Sequence, residues 1–300
     1  MTALVADADL PPKIGVHPRP EGSFAHAMPA YLRGTAVDGS DDLLGMKWIA
    51  GFPANRSRGL PALHGLVLLV DAATGVPSAI LDAGPITAER TAAISGVAIA
   101  RFAPHVGGRA PRVALIGAGI QGHSHLAPIG HVLPGAELRV FDRHPERAES
   151  LTATARLTPG ISAAVGASSA REATERADVV VTAASFGPVR QVMTADWLAP
   201  DALVVPVDYA TYCSAEVARG AALFLVDDRG QFLVNRAAGQ FDDYPDPAAT
   251  LGEAILSGLA RPPQGRVVVS HLGVGLADLV FGAAVVRRAE EAGLGSLLPS

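Results

Sequence analysis

One stretch constrains the fold of this chain more than any other. Val113-Ala114-Leu115-Ile116 runs directly into Gly117-Ala118-Gly119-Ile120-Gln121-Gly122, and a helical pattern over 123–132 follows. An apolar strand, a G-x-G-x-x-G turn and a helix in that order open a dinucleotide-binding βαβ unit. The first glycine permits the tight turn, the second lets a pyrophosphate approach the backbone, and the third lets the helix pack on the strand. The phosphates then sit at a helix N-terminus, where exposed N–H groups and the dipole favour anions. A glycine triplet alone is a weak signal. Here a second strand, 138–141, ends at Asp142, 20 residues after Gly122. A carboxylate there accepts hydrogen bonds from ribose hydroxyls and repels a 2′-phosphate, which favours NAD. Arg143 beside it offers a partner for that phosphate, so NADP stays open.

The pattern continues with near-continuous Val/Leu/Ala strands at 179–183, 203–207, 223–226 and 267–270, and a weaker one at 161–165 suited to the third position of the sheet. Such strands joined by helical connections argue for a parallel sheet covered on both faces. The expected fold is therefore α/β, with a Rossmann-type doubly wound parallel sheet over residues 108–275. The flanks are organised differently. Strands at 66–71 and 78–82 meet across the turn Ala72-Ala73-Thr74-Gly75, a helix is expected over 85–103, and Pro104, Gly107 and Gly108 stop it. A last helix, 276–292, is expected to return to this first part. The result is a discontinuous α/β substrate-binding and dimerisation domain, 1–107 with 276–300.

Composition removes several functions. The net charge of −5 carries no basic block, so nucleic acid is not an expected partner. No apolar run approaches the roughly 18 residues of a membrane span, and residues 1–10, with Asp7 and Asp9, lack the pattern of a signal peptide. Cys213 is the single cysteine, so no internal disulfide forms and a cytoplasmic location is expected. It reads as a small buried residue, with a nucleophile as the alternative. His123 and His125 stand two apart on a helix, off a shared face, and read as structural or solvent-facing rather than as metal ligands. The basic residues comprise 22 arginines and only two lysines, Lys13 and Lys47. In so biased a chain a lysine marks either a chance surface position or a place where the compact, tunable ammonium itself is required.

Several further motifs occur in a recognisable order: Met46-Lys47-Trp48-Ile49, Gly51-Phe52-Pro53, Gly59-Leu60-Pro61, Asp71 through Gly75, and Ile86-Thr87-Ala88-Glu89-Arg90-Thr91-Ala92-Ala93. The glycine turn, Val207-Asp208, and His271-Leu272-Gly273-Val274-Gly275 through Asp278 follow. From about residue 11 to the end the chain resembles the ornithine cyclodeaminase/mu-crystallin family. That resemblance implies a homodimer paired through its outer domains, with the active site in a cleft between domains. It implies that Lys47 contacts the substrate carboxylate or polarises its amino or imino group. Arg90 would bind that carboxylate and the cofactor near the nicotinamide, and Asp208 would exchange a proton with the substrate nitrogen or orient it. Gly117, Gly119, Gln121, Gly122 and Asp142 would hold the dinucleotide, with Arg143 and Val274 as further contacts. The plainer alternatives are that Asp208 is a strand-end residue capping the following turn and Arg90 a surface helix charge in a salt bridge.

Three departures shape the functional reading. Where many members carry an arginine after Pro11-Pro12, this chain has Lys13, keeping the charge but losing bidentate geometry. Ala62 replaces a threonine common in ornithine cyclodeaminases, and His64 follows. His64 is either a cleft-facing acid/base or recognition group, or a structural histidine. The opening strand and helix of some thirty residues usual in the family are not seen. With no obvious acidic pocket for a distal ammonium, the favoured function is an NAD(P)-dependent oxidoreductase acting on a small amino acid or its imine or keto acid. An amino acid cyclodeaminase using bound NAD+ is the runner-up. A non-catalytic binding protein of the mu-crystallin type is third, disfavoured by the complete Lys47, Arg90 and Asp208 set.

Overall fold

A computed structural model describes residues 1–5, 7–36, 39, 41–187 and 189–297. The last three residues of the expected first-and-last domain, 298–300, lie outside the described residues. The chain divides into two compact units, Thr91–Leu272 with Met1–Thr2, and Ala3–Arg90 with the segment from Gly273 onward. The division between Arg90 and Thr91 falls inside one continuous helix, Ala83–Phe102, whereas the sequence places the boundary at 107/108.

The smaller unit is built on an antiparallel sheet. β1 (Ala8–Asp9) and β2 (Ile14–Val16) both pair with β3 (Phe24–Leu32), which is followed by β4 (Leu43–Gly51), β5 (Leu63–Val70) and β6 (Pro77–Asp82) in the order β1-β3-β4-β5-β6. Pairing of β3 with β4 is continuous from Phe24↔Gly51 to Leu32↔Leu43 and sets Met28 opposite Lys47. Only the β5–β6 hairpin was legible in advance. The structure adds β3 and β4 because their alternation runs against expectation: the covered face of β4 carries Gly45, Lys47, Ile49 and Gly51, whereas Leu44, Met46 and Trp48 point the other way. α1 (Ala83–Phe102) follows β6 without a break.

The larger unit then runs β7 (Arg112–Ile116), α2 (Ile120–Val132), β8 (Ala136–Phe141), α3 (Pro145–Arg156), β9 (Ile161–Gly166), α4 (Ala170–Thr174), β10 (Val179–Thr182), β11 (Leu203–Pro206), α5 (Ala215–Arg219), β12 (Leu223–Val226), α6 (Arg229–Ala237), β13 (Ala249–Thr250), α7 (Leu251–Leu256) and β14 (Val267–Ser270). Its eight strands are all parallel, in the order β13-β12-β14-β11-β10-β7-β8-β9. β7, β10, β11, β12 and β14 are buried along nearly their whole length, which is why they read as continuous apolar runs. The doubly wound parallel sheet is thus in place, with β9 third in the run β7-β8-β9.

α8 (Gly275–Glu291) belongs to the smaller unit and covers one face of its sheet. Small residues set this approach. A Cβ on Gly275 would lie 2.6 Å from the Met28 carbonyl oxygen, and one on Gly45 3.1 Å from Leu279. Val67, Leu69, Ala83 and Ile86 form a core with Leu276 and Leu279 of the helix. Among the described residues no helix is long and apolar enough to cross a membrane.

Candidate functional site

The pleat of β4 turns Lys47 under α8, where its side chain is 1% exposed. Its Nζ lies 2.7 Å from Oδ2 of Asp278, in the first turn of α8. Arg90, on α1, donates from Nε to the other carboxylate oxygen, Oδ1, at 2.9 Å. All three groups are buried: Arg90 is 5% and Asp278 0% exposed. Seating Arg90 requires Gly273. A Cβ there would fall 2.3 Å from Arg90 Nη1, and its backbone sits at φ +81°. Arg90 Nη1 is buried without a hydrogen-bond partner.

Two cations therefore share one anion in a site removed from water. Burial and the neighbouring Arg90 push the Lys47 ammonium down to about 7, with Asp278 opposing and Lys13 adding to the shift. Lys13, just before β2, thus acts on the same cluster. His26 shares the covered face, since β3 places it two residues from Met28, the partner of Lys47. Burial, then Lys13, His17 and Lys47, lower His26 to about 4. The local field is positive, and a carboxylate is the ligand it suits.

Of the substrate residues expected from sequence, the structure brings Lys47 and Arg90 together on Asp278, and the charge of Lys13 acts on Lys47. It does not bring His64. His64 pairs with Ala50, on the face of β4–β5 opposite Lys47, and is exposed there. The expectation that His64 reaches the substrate pocket is corrected by the two-residue period of the strand. Asp278 and His26 were missed as site residues. Asp278 had a signal, the end of the closing motif, but an acid in the first turn of a helix is ordinary on electrostatic grounds alone. His26 had none, because β3 itself was not legible.

In the other unit, Asp208 stands beyond the end of β11, buried to 2% exposure. Thr182 Oγ1 donates to it at 2.7 Å and the Ala184 amide at 3.1 Å. Burial raises its carboxyl to about 7 against these hydrogen bonds, so it can carry a proton at neutrality. Cys213 is fully buried and its thiol is pushed up to about 12 by burial, which rules it out as a nucleophile.

The glycine turn divides its labour as its spacing implies. A Cβ on Gly117 would meet the Ala183 carbonyl oxygen at 2.4 Å and one on Gly122 the Gly117 carbonyl oxygen at 2.2 Å, whereas one on Gly119 would meet nothing within 4 Å. Two glycines are required by the protein's own packing, and Gly119 opens space in front of the helix. No side chain caps α2 at Gly119, and Gln121 Oε1 is buried without a partner. Asp142, at the end of β8, accepts from the Ala118 amide at 2.8 Å and the His144 amide at 2.9 Å, which holds its carboxylate beside the turn. Arg143 is exposed. Val274 occupies the N-cap position of α8 and is buried. An open cradle, an uncapped helix start and an unpartnered amide oxygen fit a dinucleotide. His123 is exposed and hydrogen-bonds within its own turn, and among the described residues no group of three or more His, Cys, Asp or Glu side chains is placed to hold a metal.

Comparison with known proteins identifies the family and the fold. The model of the ornithine cyclodeaminase/mu-crystallin family matches residues 3–227. The chain is 34% identical to the nodulation efficiency protein NfeD of Rhizobium meliloti over 295 residues, covering 96% of this chain and 87% of that protein. Among solved structures it resembles the Δ1-pyrroline-2-carboxylate reductase of Thermococcus litoralis, in complex with NADH and L-proline. The TM-score is 0.82 at 25% identity, over 98% of this chain and 91% of that one. An archaeal alanine dehydrogenase dimer with bound NAD gives a TM-score of 0.82 at 25% identity, over 99% and 90% of the two chains. Motif order, fold and these likenesses agree: the chain belongs to the ornithine cyclodeaminase/mu-crystallin family.

Proposed function

We propose that this protein is an NAD-dependent oxidoreductase, with NADP as the alternative cofactor, that interconverts a small α-amino acid and its imine. The observation that carries this reading is the buried excess of positive charge at Lys47 and Arg90, which share Asp278 while Arg90 Nη1 has no partner. A substrate α-carboxylate completes that set with charge-assisted hydrogen bonds. Arg90 and Lys13 hold the carboxylate, and Lys47 polarises the substrate nitrogen. Asp208 exchanges a proton with that nitrogen. The turn 117–122 and Asp142 hold the dinucleotide, which when bound supplies or accepts the hydride. In the reductive direction the imine nitrogen is protonated, the α-carbon gains a hydride, and the amine results.

The Lys47 value gives the reaction a pH dependence. Lys47 is protonated below about 7 in the free protein and loses its charge above it. Reductive kcat/KM is therefore expected to fall above that pH. The corresponding limb of kcat lies at higher pH, because a bound carboxylate raises Lys47. A pH–rate profile flat across this range contradicts the role.

A homodimer accords with the sheet face opposite α8, where Trp48 is 43%, Leu66 52% and Ile80 54% exposed. These side chains adjoin across β4, β5 and β6 and form an apolar patch of the kind that marks an interface. Leu66→Glu is expected to convert a dimer to a monomer by light scattering, and an unchanged mass rejects this surface. A cytoplasmic location accords with the single, buried Cys213.

The test is a panel of amino acids with NAD+ or NADP+, and of cyclic imino acids and keto acid/amine pairs with NADH. Net cofactor turnover supports the proposal. Ammonia release from a diamino acid without net cofactor change points to a cyclodeaminase, and dinucleotide binding without turnover points to a binding protein.

A further inference from the structure

A chain of buried polar side chains crosses the larger unit and is used by none of the steps above. Ser95 Oγ, on α1, lies 2.8 Å from His125 Nε2 on α2 and 2.8 Å from Nε2 of His271, the residue after β14. His125 Nδ1 lies 2.6 Å from the carbonyl oxygen of Gln121, in the first turn of α2. Ser95 and His125 are 0% exposed and His271 is 2% exposed. Three apolar residues would fill this volume at lower risk, since a buried polar atom left unsatisfied destabilises the fold.

The direction of the chain follows from donor chemistry. A carbonyl oxygen only accepts, so His125 Nδ1 carries a proton. Burial pushes the His125 imidazole down to about 4, so the ring is neutral and its Nε2 is a bare acceptor. That acceptor takes the single Ser95 hydroxyl proton, and the Ser95 oxygen must in turn accept from a protonated Nε2 on His271. The order is His271 to Ser95 to His125 to Gln121.

We propose that Ser95, His125 and His271 are positioning residues for the dinucleotide, acting as a one-way hydrogen-bond chain that fixes the first turn of α2 at Gln121. The chain ties that turn to the part of α1 after Arg90 and to the end of β14, both in the same unit. It holds in place the turn that carries the uncapped helix start at Gly119 and the buried, unpartnered Gln121 Oε1. This rests on the reading that the glycine turn binds a dinucleotide.

Two measurements on the full-length protein test it. Two-bond nitrogen–proton spectra of histidine-labelled protein are expected to show His125 protonated at Nδ1 only and His271 protonated at Nε2. A His271 Nε2 without a proton overturns the chain. Titration with NADH is expected to show Kd raised about tenfold by Ser95→Ala and by His271→Leu, the scale of one lost hydrogen bond. His271→Gln, whose amide N–H takes the place of Nε2–H, is expected to restore affinity. If the first two variants melt at lower temperature yet bind NADH as the wild type does, the residues are structural only and the proposal fails. If the wild type binds neither NADH nor NADPH, the dinucleotide reading fails and the positioning role with it, whatever the spectra show.

Discussion

Replacing Lys47 with methionine is expected to lower turnover by about a thousandfold, the scale of a lost proton-transfer or charge-stabilising group, while leaving NADH affinity and melting temperature essentially unchanged. The last clause separates this account from a structural one. Buried ion pairs are often credited with holding a fold together, and removing one partner is then costly. At Lys47 the direction of the pKa shift says otherwise. The folded-state value lies near 7, below the ordinary lysine value, so the folded protein binds this proton more weakly than the unfolded chain does. Below the unfolded value, a group depressed in this way costs stability. Methionine fills the stem's volume, removes the cost and leaves Asp278 paired with Arg90. Steady-state kinetics with a melting curve check both halves, and a variant that turns over normally or melts far below the wild type contradicts the role.

Asp278→Ala, in contrast, is expected to lower stability. It leaves Lys47 and Arg90 buried side by side without a counter-charge, and removing one partner of such a set costs about 3–5 kcal/mol. Urea denaturation would register this as a lower midpoint. Asp278→Asn keeps the shape but not the charge and is expected to fall in between. Adding Lys47→Met to Asp278→Asn is expected to return part of the loss, because one of the two uncompensated cations is gone. An Asp278→Ala protein as stable as the wild type would show that water or an ion already neutralises the cluster.

The contrast between these two positions shows what could be read in advance. The strand, turn and helix around Gly117–Gly122 were legible because each depends on local chemistry: an apolar run, a positive φ at Gly117, and packing that excludes a Cβ at Gly122. Lys47 was legible through its rarity among 22 arginines. The strand that carries it was not. β4 places glycine and lysine on its covered face and Trp48 on its exposed one, so its hydrophobic period points away from the helix that packs on it. Asp278 gains meaning only when α8 lays it against β4, a contact between residues 231 positions apart in the chain. The same holds for Ser95, His125 and His271, which no local pattern connects. His64 was misplaced for a related reason: its neighbours in sequence suggested the pocket, and the strand period turned it to the other face. The insertion of β14 between β11 and β12 likewise depends on pairing that strand spacing does not encode.

The central claim is hydride transfer at an α-carbon whose carboxylate is held by Arg90 and Lys13 and whose nitrogen is polarised by Lys47, and isotope transfer tests it most directly. Wild-type protein would be given NADH carrying deuterium at both C4 positions of the nicotinamide, together with a cyclic imino acid, and the amino acid formed would be analysed by mass spectrometry. The account predicts one deuterium at the α-carbon, formed about a thousandfold more slowly by Lys47→Met. An amino acid product free of deuterium, or deuterium located elsewhere in it, would contradict it.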